Sequence, residues 1–348
     1  MITLEGLESW QNKRCLLGFS GGGDSVALFY LLLEQGVHFD LAIVHYALRD
    51  QADQEVRYAL KLGRQHTKSV HVCYAPLRGG NLEARARTRR YAFFARLSLL
   101  FGYECVILAH HLNDKLEWFL MQLAKGASLQ TLLGFEALES REHYTLARPL
   151  LYTPKNTLKD YLHAHNYRYF EDYSNANQRF KRNVFRHALS DVFLNLKGTS
   201  QGLKRSFQAL ALEKTRLYPP IKMVCIARVW VFKENSQNVY YIDRLLKRLG
   251  YVLSQPQRLE LERQHFNTIF STQTKVYCVG ALGGFVFVGT RSHTKPIALP
   301  KIYKDRCRTL KIPFNLRQIL YSSKWQEHLE AIKHAKDTLC APSNLRAS

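Results

Sequence analysis

The first half of the chain alternates short apolar runs with longer segments whose apolar residues recur every three or four positions. The runs Cys15–Phe19, Leu41–His45, Val70–Tyr74 and Cys105–Ala109 predict strands. Between them the spacing predicts helices over Ser25–Gln35, Gln51–Gln65 and Asn81–Phe101. Strands that are apolar at nearly every position are buried on both faces, so the expected fold class is α/β, a parallel sheet with helices on either side. In such sheets ligands sit at the carboxyl ends of the strands. The clusters SGGGDS, HYALRD and AHHLND follow three of these runs and therefore converge on one rim.

After Ala109 a helix is expected over about Asn113–Ala124. The stretch "RPLLYTPKNTLKDYLHAHNY" reads as a turn and a helix, with Thr153 as N-cap and Pro154 in the first helical position. Residues 172–187 are polar and basic. Further on, "YIDRLLKRLGYVLSQPQRLELERQ" has helical spacing, and "TKVYCVGALGGFVFVGTR" reads as paired strands around a glycine turn. A domain boundary is placed near residue 200. Residues 1–200 form the α/β nucleotide-binding and catalytic domain, and residues 201–348 a smaller, basic, mixed α/β or α+β region.

Charge sharpens that division. Of the net +22, residues 1–200 carry 25 Lys and Arg against 19 Asp and Glu, whereas residues 201–348 carry 25 against 9. A basic region with interleaved Tyr and Phe fits a polyanionic partner, through counterion release on phosphate contact. No run approaches the roughly 18 apolar residues of a membrane span. The start, MITLEGLESWQNKR, lacks the basic and apolar regions of an export signal, so a cytoplasmic location is expected. The seven cysteines include no C-x-x-C pair, which argues against a disulfide framework or a zinc site. Cys15, Cys73 and Cys105 fall in strand runs, where a buried cysteine acts as a small hydrophobe.

The glycines at 21–23 carry the chemistry. A strand entering a glycine-rich loop that opens a helix offers free backbone N–H groups and a helix N-terminus, a seat for phosphate. Ser20 and Ser25 add hydroxyls. The loop has no lysine and so is not a Walker A loop, and "GFSGGG" fits a dinucleotide fingerprint only by starting inside the strand. Asp24 would repel phosphate unless Mg²⁺ lay between them.

Ser20–Ser25 resembles the S-G-G-x-D-S pyrophosphatase loop of the N-type ATP pyrophosphatases, the PP-loop superfamily. Further segments narrow the resemblance. VHYALRD (Val44–Asp50) is similar to the H-x-x-L-R element of the tRNA(Ile)-lysidine synthases. NLEARARTRRYAFF (Asn81–Phe94) is similar to their A-R-x-x-R-Y helix, with Arg87, Arg90 and Tyr91 on the motif. AHHLNDKLEWFL (Ala109–Leu120), RPLL (Arg148–Leu151) and EDYSNANQRFKRNVFR (Glu171–Arg186) resemble three more of that family's elements, in its order, over about residues 14–190.

That resemblance implies a ligase. ATP adenylates the 2-carbonyl oxygen of the wobble cytidine in tRNA(Ile) with a CAU anticodon, and free L-lysine displaces AMP, giving lysidine and pyrophosphate. By the same resemblance Ser20, Gly21, Gly22, Gly23, Asp24 and Ser25 cradle the pyrophosphate of ATP, and Asp24 and Asp114 hold Mg²⁺. His45 and Arg49 border the nucleotide. Asp114, Glu117 and His110 attend the metal or the lysine, with His110 starting the acidic helix. Arg87, Arg90, Lys181, Arg182, Asn183 and Arg186 meet phosphate or tRNA. The chain departs from the family pattern at Asn113, where an aspartate is replaced, and at Lys115 and Trp118. Asp114 and Glu117, three apart, share one helix face. Two alternatives stay open: a PP-loop tRNA thiolase, which would need motif-placed cysteines, and a non-catalytic basic RNA-binding protein with a degenerate ATP site.

Overall fold

The computed structural model describes residues 2–48, 51–171, 184–293 and 297–340. The chain divides into two compact units, residues 1–214 and 215–348.

In the first unit the elements run β1 (Cys15–Gly18), α1 (Gly23–Glu34), β2 (Phe39–His45), α2 (Ala52–Gln65), β3 (Val70–Tyr74), α3 (Leu82–Phe101), β4 (Cys105–Ile107), α4 (Leu112–Leu123) and α5 (Leu129–Leu132). The short strands β5 (Leu138–Ser140) and β6 (Thr145–Ala147) and the helix α6 (Lys155–Ala164) follow. Six strands make one sheet in the order β3-β2-β1-β4-β6-β5, parallel except for the β5–β6 pair. Alternate residues supply opposite faces. Cys15, Leu17, Cys105 and Ile107 pack with α1, while Leu16, Val106 and Leu146 pack with Phe94 and Leu97 of α3. Cys73 is only half-buried because β3 is the edge strand, whereas Cys15 and Cys105 are buried as expected.

The chain builds outward from β1 to β2 and β3, then returns to lay β4 on the other side of β1. At that reversal the loops leaving β1 and β4 diverge and open a crevice. Beyond α6, Arg186–Ser190 forms a π-helical turn that runs into a helix at Asp191–Asn195, and a longer helix covers Thr199–Leu217. That last helix runs through the boundary expected near residue 200.

The start of α6 corrects one expectation. Pro154 takes the N-cap position in extended conformation and the helix begins at Lys155, so Thr153 is not the cap. Thr153 instead gives its carbonyl to the N–H of Leu112 at 3.0 Å, tying the approach to α6 to the first turn of α4.

The second unit is a five-stranded antiparallel sheet in the order β7-β8-β11-β10-β9, where β7 is Val224–Ile226, β8 Val229–Lys233, β9 Thr268–Ser271, β10 Lys275–Leu282 and β11 Phe285–Ser292. The β10–β11 hairpin turns on Gly283 and Gly284, both at positive φ, as a tight primed turn requires. Helices at Asn238–Leu249 and Gln255–Arg263 cover Tyr277, Val279, Val286 and Val288; the expected single helical stretch breaks at Gly250. Helices at Lys301–Thr309, Phe314–Leu320 and Trp325–Cys340 cover Val276, Cys278, Phe285 and Phe287 on the opposite face.

Gly18 ends β1 where the nucleotide loop departs. A Cβ there would lie 2.5 Å from Leu108 and 2.9 Å from Phe94. Gly18→Val is therefore expected to destabilise the first unit by about 1–3 kcal/mol through overpacking, read as a lowered urea midpoint.

Candidate active site

A cavity of about 600 Å³ opens at the carboxyl ends of β1, β2 and β4. Into it project the glycine loop, the strand-end loop at Leu108–His111, the first turns of α4 and α6, and Arg186. Three motifs that are distant in sequence are thereby brought together by the sheet order.

The three loop glycines answer to three different constraints. Gly21 has φ +76° and is buried behind the loop, where a Cβ would sit 3.3 Å from Glu55 and from Phe170; its carbonyl accepts the N–H of Phe170 at 2.9 Å. Gly23 opens α1 beneath Tyr169 and Leu162 at 3.3 and 3.4 Å. Gly22 has ordinary φ, and a Cβ there would meet nothing closer than Ser20 Oγ at 3.5 Å. The protein itself leaves room for a side chain at 22, on the cavity wall. Ser25 staples the loop: its hydroxyl donates to the Gly22 carbonyl at 2.9 Å and its oxygen accepts the Ser20 N–H at 3.2 Å. Ser25 is thus a structural hydroxyl, and Ser20 is the exposed one of the pair.

The acids converge on a histidine that sequence reasoning passed over. His111, not His110, is the N-cap of α4, and its backbone N–H donates to Asp114 Oδ2 at 3.1 Å. Its buried imidazole Nε2 lies 3.4 Å from Asp24 Oδ2 and 3.5 Å from Asp114 Oδ2. Burial opposes charge on this ring, but Asp114 and Asp24 outweigh it and raise the His111 pKa. Burial likewise works against the Asp24 carboxylate, yet His111 prevails and holds its pKa below the usual range, with Lys155 adding to the effect and Asp114 opposing it. His110 does line the cavity, with its ring 5.2 Å from Phe135. The doublet in AHHLND was the available signal; periodicity alone did not say which histidine caps the helix.

Other expected residues separate. Glu117 is buried and bound by Arg186, whose Nε donates to Oε1 at 2.5 Å; it is not part of the cavity wall. It holds Arg186, which reaches Asp114 Oδ1 at 3.7 Å and does line the cavity. Glu117 thus reaches the cavity through Arg186 and not by its own carboxylate. His45 also turns away: its Nε2 is 3.2 Å from Asp53 and its ring packs on Tyr74, while the neighbouring Val44 and Tyr46 face the cavity. Arg90 lines the cavity, but Arg87 is exposed over the Tyr91 ring outside it, so the two do not act as a pair there. Arg49, Lys181, Arg182 and Asn183 lie outside the described residues.

The departures from the family pattern have structural roles. Asn113 is buried, donating to Asp191 Oδ1 at 2.9 Å and accepting the Lys155 N–H at 3.0 Å. Trp118 donates from Nε1 to the Thr131 carbonyl at 2.7 Å. Lys115 is buried among Phe135, Tyr152 and Phe207 and donates to the carbonyls of Leu133 and Phe135 at 3.1 and 2.9 Å. Together they fasten α4 to its surroundings.

No group of three or more His, Cys, Asp or Glu side chains able to hold a metal occurs among the described residues. Asp24 and Asp114 nevertheless present two carboxylates around one imidazole. That donor set suits Mg²⁺, which takes one or two protein carboxylates and completes its shell with phosphate oxygens and water.

Two outcomes are expected. Gly22→Ala should leave the melting temperature nearly unchanged yet weaken ATP binding at least about tenfold by calorimetry, whereas Gly21→Ala should cost about 1–2 kcal/mol of stability through its positive φ. Burial depresses the Lys115 pKa to about 8 from 10.5. Between those values the unfolded chain binds the extra proton, so this residue's contribution makes stability rise with pH. Urea titrations at pH 8 and 10 should show a gain on the order of 2 kcal/mol that is missing in Lys115→Met.

Residues 3–193 match the PP-loop domain family. Over 316 residues the chain is 42% identical to the tRNA(Ile)-lysidine synthase of Helicobacter pylori strain J99, covering 91% of each chain. It is 42% identical to the enzyme of that name from Wolinella succinogenes, covering 91% of this chain and 95% of that one. With the one from Campylobacter jejuni serotype O:2 it shares 38%, covering 89% and 92%. Similarity at this level extends through both compact units, well past the PP-loop domain. The chain belongs to the tRNA(Ile)-lysidine synthase family.

Proposed function

We propose that this chain joins L-lysine to C2 of the wobble cytidine in an isoleucine tRNA bearing a CAU anticodon, with cleavage of ATP to AMP and pyrophosphate. The observation that carries the reading is the cavity in which the glycine loop, Asp24 and Asp114 meet at the crossover of the parallel sheet. In the first half-reaction the cytidine O2 attacks the α-phosphorus; the O2–P bond forms as the bond to the β-phosphate oxygen breaks, and pyrophosphate leaves with the electron pair. In the second, an amine of lysine attacks C2 and AMP departs carrying O2. The Gly22 amide donates to a phosphate oxygen, while that of Gly23 is turned to Phe170 in the bridge that seats the loop. Mg²⁺, held by Asp24 and Asp114, would offset charge on the triphosphate. Asp114, steadied by His111 and Arg186, would also receive a lysine ammonium and take its proton. Residues 201–348 supply tRNA affinity through their excess of cations.

The intact loop and carboxylate pair favour a working enzyme over a degenerate RNA-binding protein. Among the described residues no cysteine lines the cavity, which disfavours the thiolase reading.

The test is incubation of the purified chain with the CAU-anticodon tRNA(Ile) transcript, ATP and isotope-labelled lysine. Mass analysis should find the label in the tRNA in step with AMP and pyrophosphate. Asp24→Asn should fold normally and lose roughly 100-fold or more in turnover. Formation of ADP, or undiminished turnover in the variant, would contradict the mechanism.

A further inference from the structure

We propose that Lys155 and Lys159 on α6 form the seat for the β- and γ-phosphates of ATP and for the pyrophosphate that leaves. This rests on the reading of the cavity as an ATP site. The loop itself cannot neutralise a triphosphate: Ser20–Ser25 contains one ionisable side chain, and it is the acid Asp24. A Walker loop places a lysine on these phosphates. Here the cations come from another element.

Lys155 and Lys159 are four apart, on one face of α6, and both line the cavity beside Gly23, Asp24 and Tyr169. Between and beyond them Leu158 and Leu162 are buried, which fixes the helix against the core. Its first turn is further pinned by the Lys155 N–H to Asn113 Oδ1 bond and the Leu112 N–H to Thr153 carbonyl bond. Neither ammonium has an acidic partner within 4 Å or a hydrogen bond among the described residues. Arg186, by contrast, is committed to Glu117. Lys155 is half-buried and close enough to Asp24 to help hold its carboxylate charged. A half-buried, unpaired ammonium beside a cradle of amides is an arrangement for an anion. As the bond from the α-phosphorus to the bridging oxygen breaks, negative charge gathers on the pyrophosphate, and two fixed cations there stabilise it.

The experiment is calorimetry of the full chain with MgATP, AMP and inorganic pyrophosphate, on wild type, Lys155→Met, Lys155→Arg and Lys159→Met. Lys155→Met should weaken ATP and pyrophosphate roughly ten- to hundredfold while leaving AMP unchanged, with Lys155→Arg restoring most of the loss. The more exposed Lys159 should show the same selectivity at smaller size. A merely structural role would lower AMP affinity equally. That result, or no change for any ligand, would overturn the proposal while leaving the ATP site standing. Failure of the wild type to bind either nucleotide would overturn both.

Discussion

The candidate site depends on one buried imidazole held between two carboxylates. Asp24 belongs to the first turn of α1 and Asp114 to the first turn of α4, and without a partner between them they would repel each other across the cavity floor. His111 removes that conflict by approaching both at about hydrogen-bond range, and its own burial is offset by the pair. The contact also links two loops that leave the sheet on opposite sides of its crossover, so the electrostatics of the acids and the shape of the crevice are set together.

Around that contact the chain places a second layer with little direct chemistry. Glu117 carries no visible duty in the cavity, yet its buried charge fixes the Arg186 guanidinium beside Asp114. Removing one member of such a pair leaves the other charged and buried, which is far costlier than losing an exposed ion pair. Asn113 does comparable work with neutral bonds, joining α4 to the start of α6 and to Asp191. An aspartate at 113 would still accept the Lys155 N–H, but it would face Asp191 with a second negative charge. Asparagine, which both donates and accepts, satisfies both neighbours. Asn113 thus belongs to the scaffold.

The sheet, the glycine loop and the convergence of three loop clusters were legible because strand spacing and turn residues are local signals. Val70–Tyr74 appears with the expected limits, and the other first-unit strands and helices shift by only a few residues. What could not be read was the direction of individual side chains. Asp114 and Glu117 share a helix face by spacing, but one borders the cavity and the other lies beneath it, because Arg186 arrives from about 70 residues away. His45 was placed by its motif, whereas its orientation is decided by Asp53 and Tyr74. Lys155 and Lys159 went unremarked in the sequence, because nothing local says that α6 turns that face to the loop.

The cavity is lined with the acids Asp24, Glu55, Asp114 and Glu171, although the ligands proposed for it are a nucleotide and an RNA. Bare carboxylates would exclude phosphate. Asp24 and Asp114 are covered by His111, and Asp114 also by Arg186; Glu55 accepts a hydrogen bond from Gln51. Asp24 and Asp114 are thereby offset, Glu171 keeps its charge on an exposed side chain, and α6 adds the positive charges of Lys155 and Lys159 to the wall. The cavity therefore sets the ammoniums of Lys155 and Lys159 apart from the acids that His111 and Arg186 cover. The substrates proposed, one polyphosphate and one amine, ask for that separation, which a uniformly basic cleft would not provide.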